Sequence, residues 1–190
     1  EKEGKGPLAK DFDIVLTDDM YGQKSWEKAE SKMLKEAMHK AVSRAGLKPQ
    51  DIDVMLCGDL INQLMSSSFA ARDMHIPFLG LYGACSTMAL SMALASVMVD
   101  SQVVNNAVAS TSSHFASAER QFRLPLEYGG QRPPSAQRTA TASGASVISN
   151  HTKNTPCIEA VIFGKIMDYG IKDANNMGAA MAPAVAIIGP

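Results

Sequence analysis

Four apolar segments of strand-like composition, separated by two helical patterns, restrict this chain to a layered α/β fold. The expected strands cover residues 54–60, 105–111, 139–149 and 157–167. A long amphipathic helix precedes the first of them, and an apolar helix lies between the first and the second. This alternation of strands and helices is typical of a sheet covered by helices. We therefore predict an α/β fold with a mixed sheet.

Residues 25–46 show the pattern of the long helix. Ser25 is a typical N-cap residue, and Gly46 is typical of the position just past a helix C-terminus. Small or apolar residues recur between them at steps of three or four, which predicts one buried stripe along the helix. The predicted stripe consists of Trp26, Ala29, Met33, Ala37, Ala41 and Ala45.

The segments after the first expected strand predict how the chain crosses the sheet. The serines at 66–68 indicate a loop that leads into a short helix. "IPFLGLYG" (76–83) is expected to be extended and to lead to Cys85. Residues 86–99 suit a buried helix, because Ala, Met and Leu dominate and small side chains let backbones approach closely.

The composition excludes several classes of protein. Apolar residues make up 46% of the 190 residues, charged residues make up 19%, and the net charge is −1. This balance is typical of a globular protein. A chain with so little net charge lacks the basic field that holds a nucleic acid. We therefore expect no nucleic-acid partner.

The cysteines and the apolar runs bear on the cellular compartment. Cys57, Cys85 and Cys157 are odd in number and far apart, which favours reduced thiols over a disulfide framework. No Cys/His spacing predicts a zinc site. The first residues lack the apolar core of a signal peptide, and the longest apolar stretch is too short to span a bilayer. We expect no metal and no transmembrane segment, so membrane association would be peripheral.

Cys85 is the first candidate for chemistry. It follows a tight Gly83-Ala84 step and precedes an alanine-rich helix in "FLGLYGACSTMALSMALAS" (78–96). A strand, a turn and a helix start resemble a nucleophile elbow, where the positive helix end favours a thiolate. A free cysteine is also a common small core residue. Cys85 is therefore a nucleophile, a pocket residue or a packed thiol, whereas Cys57 and Cys157 are expected in the core.

The polar segment 112–134 is the second candidate, since it gathers several charged and aromatic side chains. Arginine binds a carboxylate or phosphate through two parallel hydrogen bonds, so one interpretation of this segment is that it binds an anionic ligand. A salt-bridged surface or a subunit contact is the other. His114 is either a base for Cys85 or a structural residue. The charged and aromatic residues are His114, Glu119, Arg120, Arg123, Glu127, Tyr128 and Arg132.

"FLGLYGACSTMA" and "SSHFASAERQFRLPLEYGGQRPPSAQRTAT" are the most distinctive stretches of the sequence. They resemble the stage V sporulation protein AD family of spore-forming Firmicutes. "GQKSWEKAESKMLKEA", "DIDVMLCGDLINQ", "SSFAARDMHIPFLG" and "MDYGIKDANNMGAAMAP" also fit. The resemblance runs from about residue 4 to residue 183, and the terminal "AVAIIGP" departs from it.

The resemblance implies a fold and a position for Cys85. The family is similar to the thiolases and ketoacyl synthases, in which two related α/β halves stack into a layered α-β-α-β-α structure. Residues 1–190 would then be an N-terminal thiolase-like half, incomplete at both ends and without the C-terminal half. Cys85 would hold the position of the acyl-accepting nucleophile in that larger group.

The resemblance also implies a function. The family is implicated in the uptake of pyridine-2,6-dicarboxylic acid (dipicolinic acid) into the developing spore and in its release at germination. It is thought to act with other SpoVA proteins at the spore inner membrane. We therefore expect a ligand-binding protein. One alternative is a thiolase-like acyltransferase that uses Cys85 as nucleophile, and the other is a structural scaffold for a membrane assembly that merely retains the pocket.

The expected ligand is dipicolinic acid, alone or as its calcium chelate, with no cofactor. Its two carboxylates call for arginines or backbone N–H groups, and its ring calls for an apolar or aromatic surface. A homodimer with its contact within residues 100–125 is expected as well. The expected ligand-binding residues are Cys85, Ser86, His114, Arg120, Arg123, Tyr128 and Arg132.

Overall fold

A computed structural model of the chain describes residues 3–122, 139–150, 155–172, 178–179 and 181–183. The main helices and strands in this part of the chain follow one another in the order α1 (Trp26–Arg44), β1 (Val54–Gly58), α2 (Met65–Met74), β2 (Phe78–Gly80), α3 (Thr87–Asp100), β3 (Asn106–Ser113), α4 (Phe115–Phe122) and β4 (Ala142–Ser149).

The strands form one sheet in the order β2-β1-β3-β4. β1 pairs in parallel with β2 on one side and with β3 on the other, so that Met55 lies opposite both Phe78 and Val108. β4 is antiparallel to β3. The mixed α/β architecture that the sequence predicts is therefore confirmed, and three of the four expected strands form.

The two faces of the sheet pack against different helices. Alternate residues of β1 point to opposite faces. Met55 and Cys57 belong to a core cluster with residues of α1 and α2. Val54 and Leu56 belong to a second cluster with Ala95 of α3. Since helices cover both faces, all five residues of β1 are buried.

α1 begins and ends where the sequence predicts, but its buried face is rotated. Ser25 caps the helix by accepting a hydrogen bond from the Lys28 N–H at 3.3 Å, and Gly46 adopts a left-handed φ of +71°. Of the predicted stripe only Ala29 and Met33 are buried, because α1 packs against α2 and the sheet through its larger side chains. The buried residues are Ala29, Glu30, Met33, Leu34, Met38 and Val42.

α2 and α3 form with small differences from the prediction. The serines at 66–68 lie inside α2 rather than in a loop, and two of them are buried. In α3 only four residues, spaced one turn apart, are buried, and Val97 is 48% exposed. α3 covers one face of the sheet, and within the described part of the chain its opposite face has no covering layer.

The expected strand at 157–167 does not form. Residues 155–172 have no regular secondary structure, and Ile162 and Phe163 are each 71% exposed. The apolar residues give strand propensity, but no strand of the described sheet pairs with this segment. Cys157, predicted in the core, is exposed for the same reason.

Gly58 at the end of β1 allows the chain after β2 to cross closely over the sheet. The Leu81 N–H donates to the Cys57 carbonyl at 2.9 Å. A Cβ atom at position 58 would overlap the Leu81 carbonyl oxygen and would lie 2.8 Å from Cγ2 of Thr87. The turn that carries Cys85 is therefore held against β1 by a close backbone approach.

We expect Gly58→Ala to destabilise the chain by roughly 2 kcal/mol, because the added methyl group forces the turn away from the sheet. The matched control is Gly144→Ala on β4, where an added Cβ meets nothing within 4 Å. Denaturant unfolding of both variants measures the difference. Equal stability of the two variants would contradict the close approach.

Candidate functional site

The carboxyl ends of the parallel strands meet at one edge of the sheet, as in other open α/β sheets. Asp59 follows β1, the segment from Leu81 to Ser86 follows β2, and His114 follows β3. Asp59 and His114 are each 1% exposed, whereas Cys85 is exposed. The edge therefore consists of a buried polar layer beside one accessible thiol.

Cys85 lies in a strained turn that leads into α3. Ala84 has a left-handed φ of +47°, which is uncommon for a residue with a side chain. Cys85 is the second residue of the 3₁₀ turn Ala84–Ser86, and α3 begins directly after it. This is the elbow geometry that the sequence predicts, and it exposes the thiol at the positive end of a helix.

The elbow uses most of its own polar groups to hold its shape. The Gly83 N–H donates to Thr87 Oγ1 at 3.1 Å, and Thr87 Oγ1 donates to the Ala84 carbonyl at 2.8 Å. The Ser86 hydroxyl donates to the Gly83 carbonyl at 2.7 Å. A ligand at this turn would therefore meet the Cys85 thiol and the helix dipole, while the Ser86 hydroxyl already has an acceptor.

His114 is a buried link between the end of β3 and the N-terminal segment. Its Nε2 lies 2.9 Å from the Asp19 carbonyl oxygen, which can only accept, so Nε2 carries the hydrogen. Its Nδ1 accepts from the Ala116 N–H at 3.2 Å. The ring also stacks on Trp26, with the ring centroids 6.4 Å apart. Both ring nitrogens are engaged, and neither bonds to Cys85, which favours the structural interpretation of His114.

Arg120 on α4 pairs with α1. Its guanidinium forms an ion pair with Glu27 and lies 5.9 Å from the centre of the Trp26 ring. This contact agrees with the salt-bridged interpretation of the segment, although the Arg120 side chain remains 59% exposed. Arg123, Tyr128 and Arg132 lie outside the described residues.

Beneath the edge lies a buried carboxyl cluster that the sequence analysis missed. Glu30 of α1 is fully buried and accepts from the hydroxyls of Ser112 at 2.9 Å and Ser117 at 3.2 Å. Asp59 accepts from the Ile61 N–H at 2.8 Å and from the Ser67 N–H at 2.7 Å. A predicted stripe centred on residues 30, 34 and 38, instead of one that includes residues 29 and 33, would have placed Glu30 on the buried face of α1. It would then have been recognised as a buried polar residue.

Burial changes the ionisation of two groups in this layer. Burial removes water from the Glu30 carboxyl and raises its pKa from 4.5 to about 7. The negative charge of Asp59 also raises the pKa, whereas the hydrogen bonds from the serines lower it. Burial likewise raises the pKa of the Cys57 thiol to about 12. Cys57 is therefore a neutral, packed thiol, as the sequence predicts.

A separate groove lies between the N-terminal segment and β4. Its volume is about 980 Å³, and residues 11–19, α1 and residues 139–145 line it. Asp13 is one of the lining residues and accepts from Arg44, and this hydrogen bond holds the pKa of Asp13 below its usual range. Of the predicted site residues that the structure describes, Cys85, Ser86, His114 and Arg120 do not line this groove.

The described part of the chain shows neither a metal cluster nor a membrane-spanning helix. No group of three or more His, Cys, Asp or Glu side chains is arranged to hold a metal ion. No described helix is long and apolar enough to cross a membrane.

The sequence profile of stage V sporulation protein AD (SpoVAD) matches residues 1–188. The chain belongs to this family. It is 46% identical over 185 residues to stage V sporulation protein AD of Bacillus subtilis (strain 168), an alignment that covers 97% of the chain and 54% of that relative. The chain thus spans about half the length of the curated family member that it matches.

Solved structures of ketoacyl synthases resemble the chain more distantly. One is 3-oxoacyl-[acyl-carrier-protein] synthase III from Aquifex aeolicus VF5, with 13% identity, a TM-score of 0.48 and coverage of 64% of this chain and 38% of that one. Another is the corresponding enzyme from Pseudomonas aeruginosa PAO1, with 13% identity, a TM-score of 0.47 and coverage of 66% and 38%.

We expect the three cysteines to differ in their reactivity towards alkylation in the folded chain. Iodoacetamide should alkylate Cys85 and Cys157, which are exposed, and should spare Cys57, which is buried and has a raised pKa. Peptide mapping by mass spectrometry before and after unfolding in denaturant measures this. Labelling of Cys57 at the rate of the other two would show that β1 is not packed as described.

Proposed function

We propose that the full-length protein binds dipicolinic acid and supports its movement into and out of the spore, and that the Cys85 elbow forms part of the binding site. Membership of the stage V sporulation protein AD family supports a role in sporulation. The observation that carries the site is the exposed elbow at the start of α3, on the carboxyl edge of the parallel strands, where α/β proteins commonly bind ligands.

The elbow offers chemistry that suits a flat aromatic dianion. The positive end of α3 favours a carboxylate. Tyr82, three residues before Cys85, is 49% exposed and offers an aromatic face to the ring. The thiol of Cys85 contributes a small apolar contact. None of these contacts requires a covalent step, so binding without catalysis is the function that we favour.

Arginine is the natural partner for the second carboxylate. Among the described residues, Arg120 is the one arginine of the predicted set. It forms an ion pair with Glu27, and its own side chain is largely exposed to solvent. An exposed ion pair contributes little free energy, so the guanidinium can exchange Glu27 for a ligand carboxylate at small cost. Arg123 and Arg132 remain proposed contributors.

Isothermal titration of the full-length protein with dipicolinate tests the proposal, both with and without calcium. We expect Cys85→Ala and Arg120→Ala each to weaken binding about tenfold, since each removes one contact worth about 1.4 kcal/mol. Calcium should tighten binding only if the chelate is the bound form.

Each variant has a matched control that changes a similar residue elsewhere. Cys157→Ala removes another exposed thiol, and Arg72→Ala removes another exposed arginine that is paired with a carboxylate. Both controls should bind as the unchanged protein does. If all four variants bound dipicolinate equally well, the site would lie elsewhere. If the unchanged protein failed to bind, the proposed ligand would be wrong.

Acyl transfer by Cys85 is the second candidate, because the strained φ of Ala84 exposes the thiol at a helix start. A nucleophile held as thiolate should react with iodoacetamide at a rate that is already maximal at neutral pH. We expect instead that Cys85 and Cys157 are alkylated at similar rates at neutral pH. A rate independent of pH around neutrality would favour the acyltransferase.

The remaining parts of the proposal concern partners. We propose peripheral association with other SpoVA proteins at the spore inner membrane and a homodimer. The proposed dimer contact lies within residues 100–125. β3 is already paired on both sides in the described sheet, so this contact would be made by side chains or by α4 rather than by an added strand.

A further inference from the structure

The loops after β1 and β2 leave the same edge of the sheet towards opposite faces. The loop after β1 leads to α2, which packs with Met55 and Cys57 on one face. The loop after β2 leads to α3, which packs with Val54 and Leu56 on the other face. The chain thus moves from β1 out to β2 and then back across β1 to β3. Open α/β sheets bind ligands outside the strand ends at such a reversal. The loop after β1 is therefore placed to form a wall opposite the Cys85 elbow.

Each of these two loops lies against the end of the other loop's strand. A Cβ atom on Gly58 of β1 would overlap the carbonyl oxygen of Leu81, in the loop after β2. A Cβ atom on Gly80 of β2 would lie 2.7 Å from Cδ1 of Leu64, in the loop after β1. Glycine at both strand ends therefore lets both loops pack closely on the sheet. The two loops are held beside each other by this reciprocal packing.

Both loops hold residues with side chains in the left-handed region of backbone space. Gln63 and Leu64 are consecutive, with φ of +66° and +51°, and Ala84 before Cys85 has φ of +47°. Such conformations cost free energy, persist only where the surrounding structure enforces them, and concentrate at binding sites. The strain at the elbow is therefore matched by strain in the loop that faces it.

The buried carboxylate of Asp59 enforces the strained turn after β1. Its Oδ1 accepts from the Ile61 N–H at 2.8 Å, and its Oδ2 accepts from the Ser67 N–H at 2.7 Å. Asp59 thus joins the two ends of the turn and occupies the first turn of α2, so this helix end already has its anion. Among the side chains described between Asp59 and Leu64, Gln63 is the exposed polar one. The turn therefore presents the Gln63 carboxamide.

We propose that Gln63 is a further ligand-contacting residue of the dipicolinate site, on the wall opposite Cys85. This inference rests on the function proposed above. A carboxamide donates to a carboxylate without adding a charge, so it suits an anion whose other carboxylate is met elsewhere. Because Asp59 and Gly80 hold the turn in place, the amide is carried by a backbone that is already ordered, which lowers the entropic cost of binding.

Alkylation of the full-length protein with two reagents tests the placement of Gln63 without dipicolinate. Iodoacetate is an anion and iodoacetamide is neutral, so the ratio of their rates at Cys85 reports nearby charge, whereas the thiolate fraction cancels. At low salt we expect Gln63→Glu to lower this ratio at least about twofold, and Gln63→Lys to raise it as much. Peptide mapping by mass spectrometry measures both rates. An unchanged ratio in the two variants would overturn the proposal.

Gln102→Glu is the matched control for the added charge. Gln102 is also exposed and left-handed, with φ of +60°, but it lies between α3 and β3, at the opposite edge of the sheet. This variant should leave the ratio at Cys85 unchanged. If Gln102→Glu lowered the ratio as much as Gln63→Glu does, the effect would come from the net charge of the protein, and the placement of Gln63 would be refuted.

Isothermal titration of the same variants with dipicolinate tests the contact itself. Gln63→Ala removes one hydrogen bond and should weaken binding about fivefold, and Gln63→Glu should weaken it further by repulsion, while Gln102→Ala binds as the unchanged protein does. If Gln63→Ala bound as tightly as the unchanged protein, the contact would be refuted and the proposed function would stand. If the unchanged protein failed to bind while the rate ratio shifted, the proposed function and the dipicolinate contact would be wrong, and Gln63 would still lie opposite Cys85.

Discussion

The fold depends on β1 and on the way it is enclosed. The strand pairs with β2 and β3 on its two sides, and helices cover both of its faces, so all five of its residues are buried. Its last residue has to be glycine, because the backbone at Leu81 passes directly over it. That crossing sets the position of the turn after β2, and with it the exposure of Cys85. A packing requirement in the core thus determines where the one thiol at this edge meets solvent.

The edge of the sheet combines two environments with different chemistry. Cys85 is accessible and has the helix end of α3 beside it. Glu30 and Asp59, by contrast, are buried. Serine hydroxyls donate hydrogen bonds to both carboxyl groups. Serines at such positions satisfy carboxyl groups without adding charge. The edge therefore combines one exposed thiol with buried carboxyl groups that serine hydroxyls satisfy.

The sequence predicted the parts of the fold that depend on local patterns. Ser25 and Gly46 mark the limits of α1, since capping is decided by a few neighbouring residues. "VMLCG" is recognisable as a buried strand from its composition alone. The elbow at Cys85 follows from glycine and small residues before an apolar helix.

The predictions that were wrong concern residues whose environment is set by distant parts of the chain. Leu34, Met38 and Val42 are buried because of α2 and the sheet, which helical spacing alone does not reveal. Residues 157–167 have strand propensity but no strand beside them in the described sheet. The contacts of His114 with Asp19 and of Arg120 with Glu27 also join distant parts of the chain, and they become visible only in three dimensions.

The single tryptophan of the chain lies where α1 meets α4. Trp26 is 36% exposed, stacks on the ring of His114 and lies beneath the guanidinium of Arg120. Histidine and arginine side chains in such contact alter indole emission, and solvent reaches the rest of the ring. The chain therefore contains a natural optical reporter at this junction. Movements of α4 should be visible in the intrinsic fluorescence of the unmodified chain, without any attached dye.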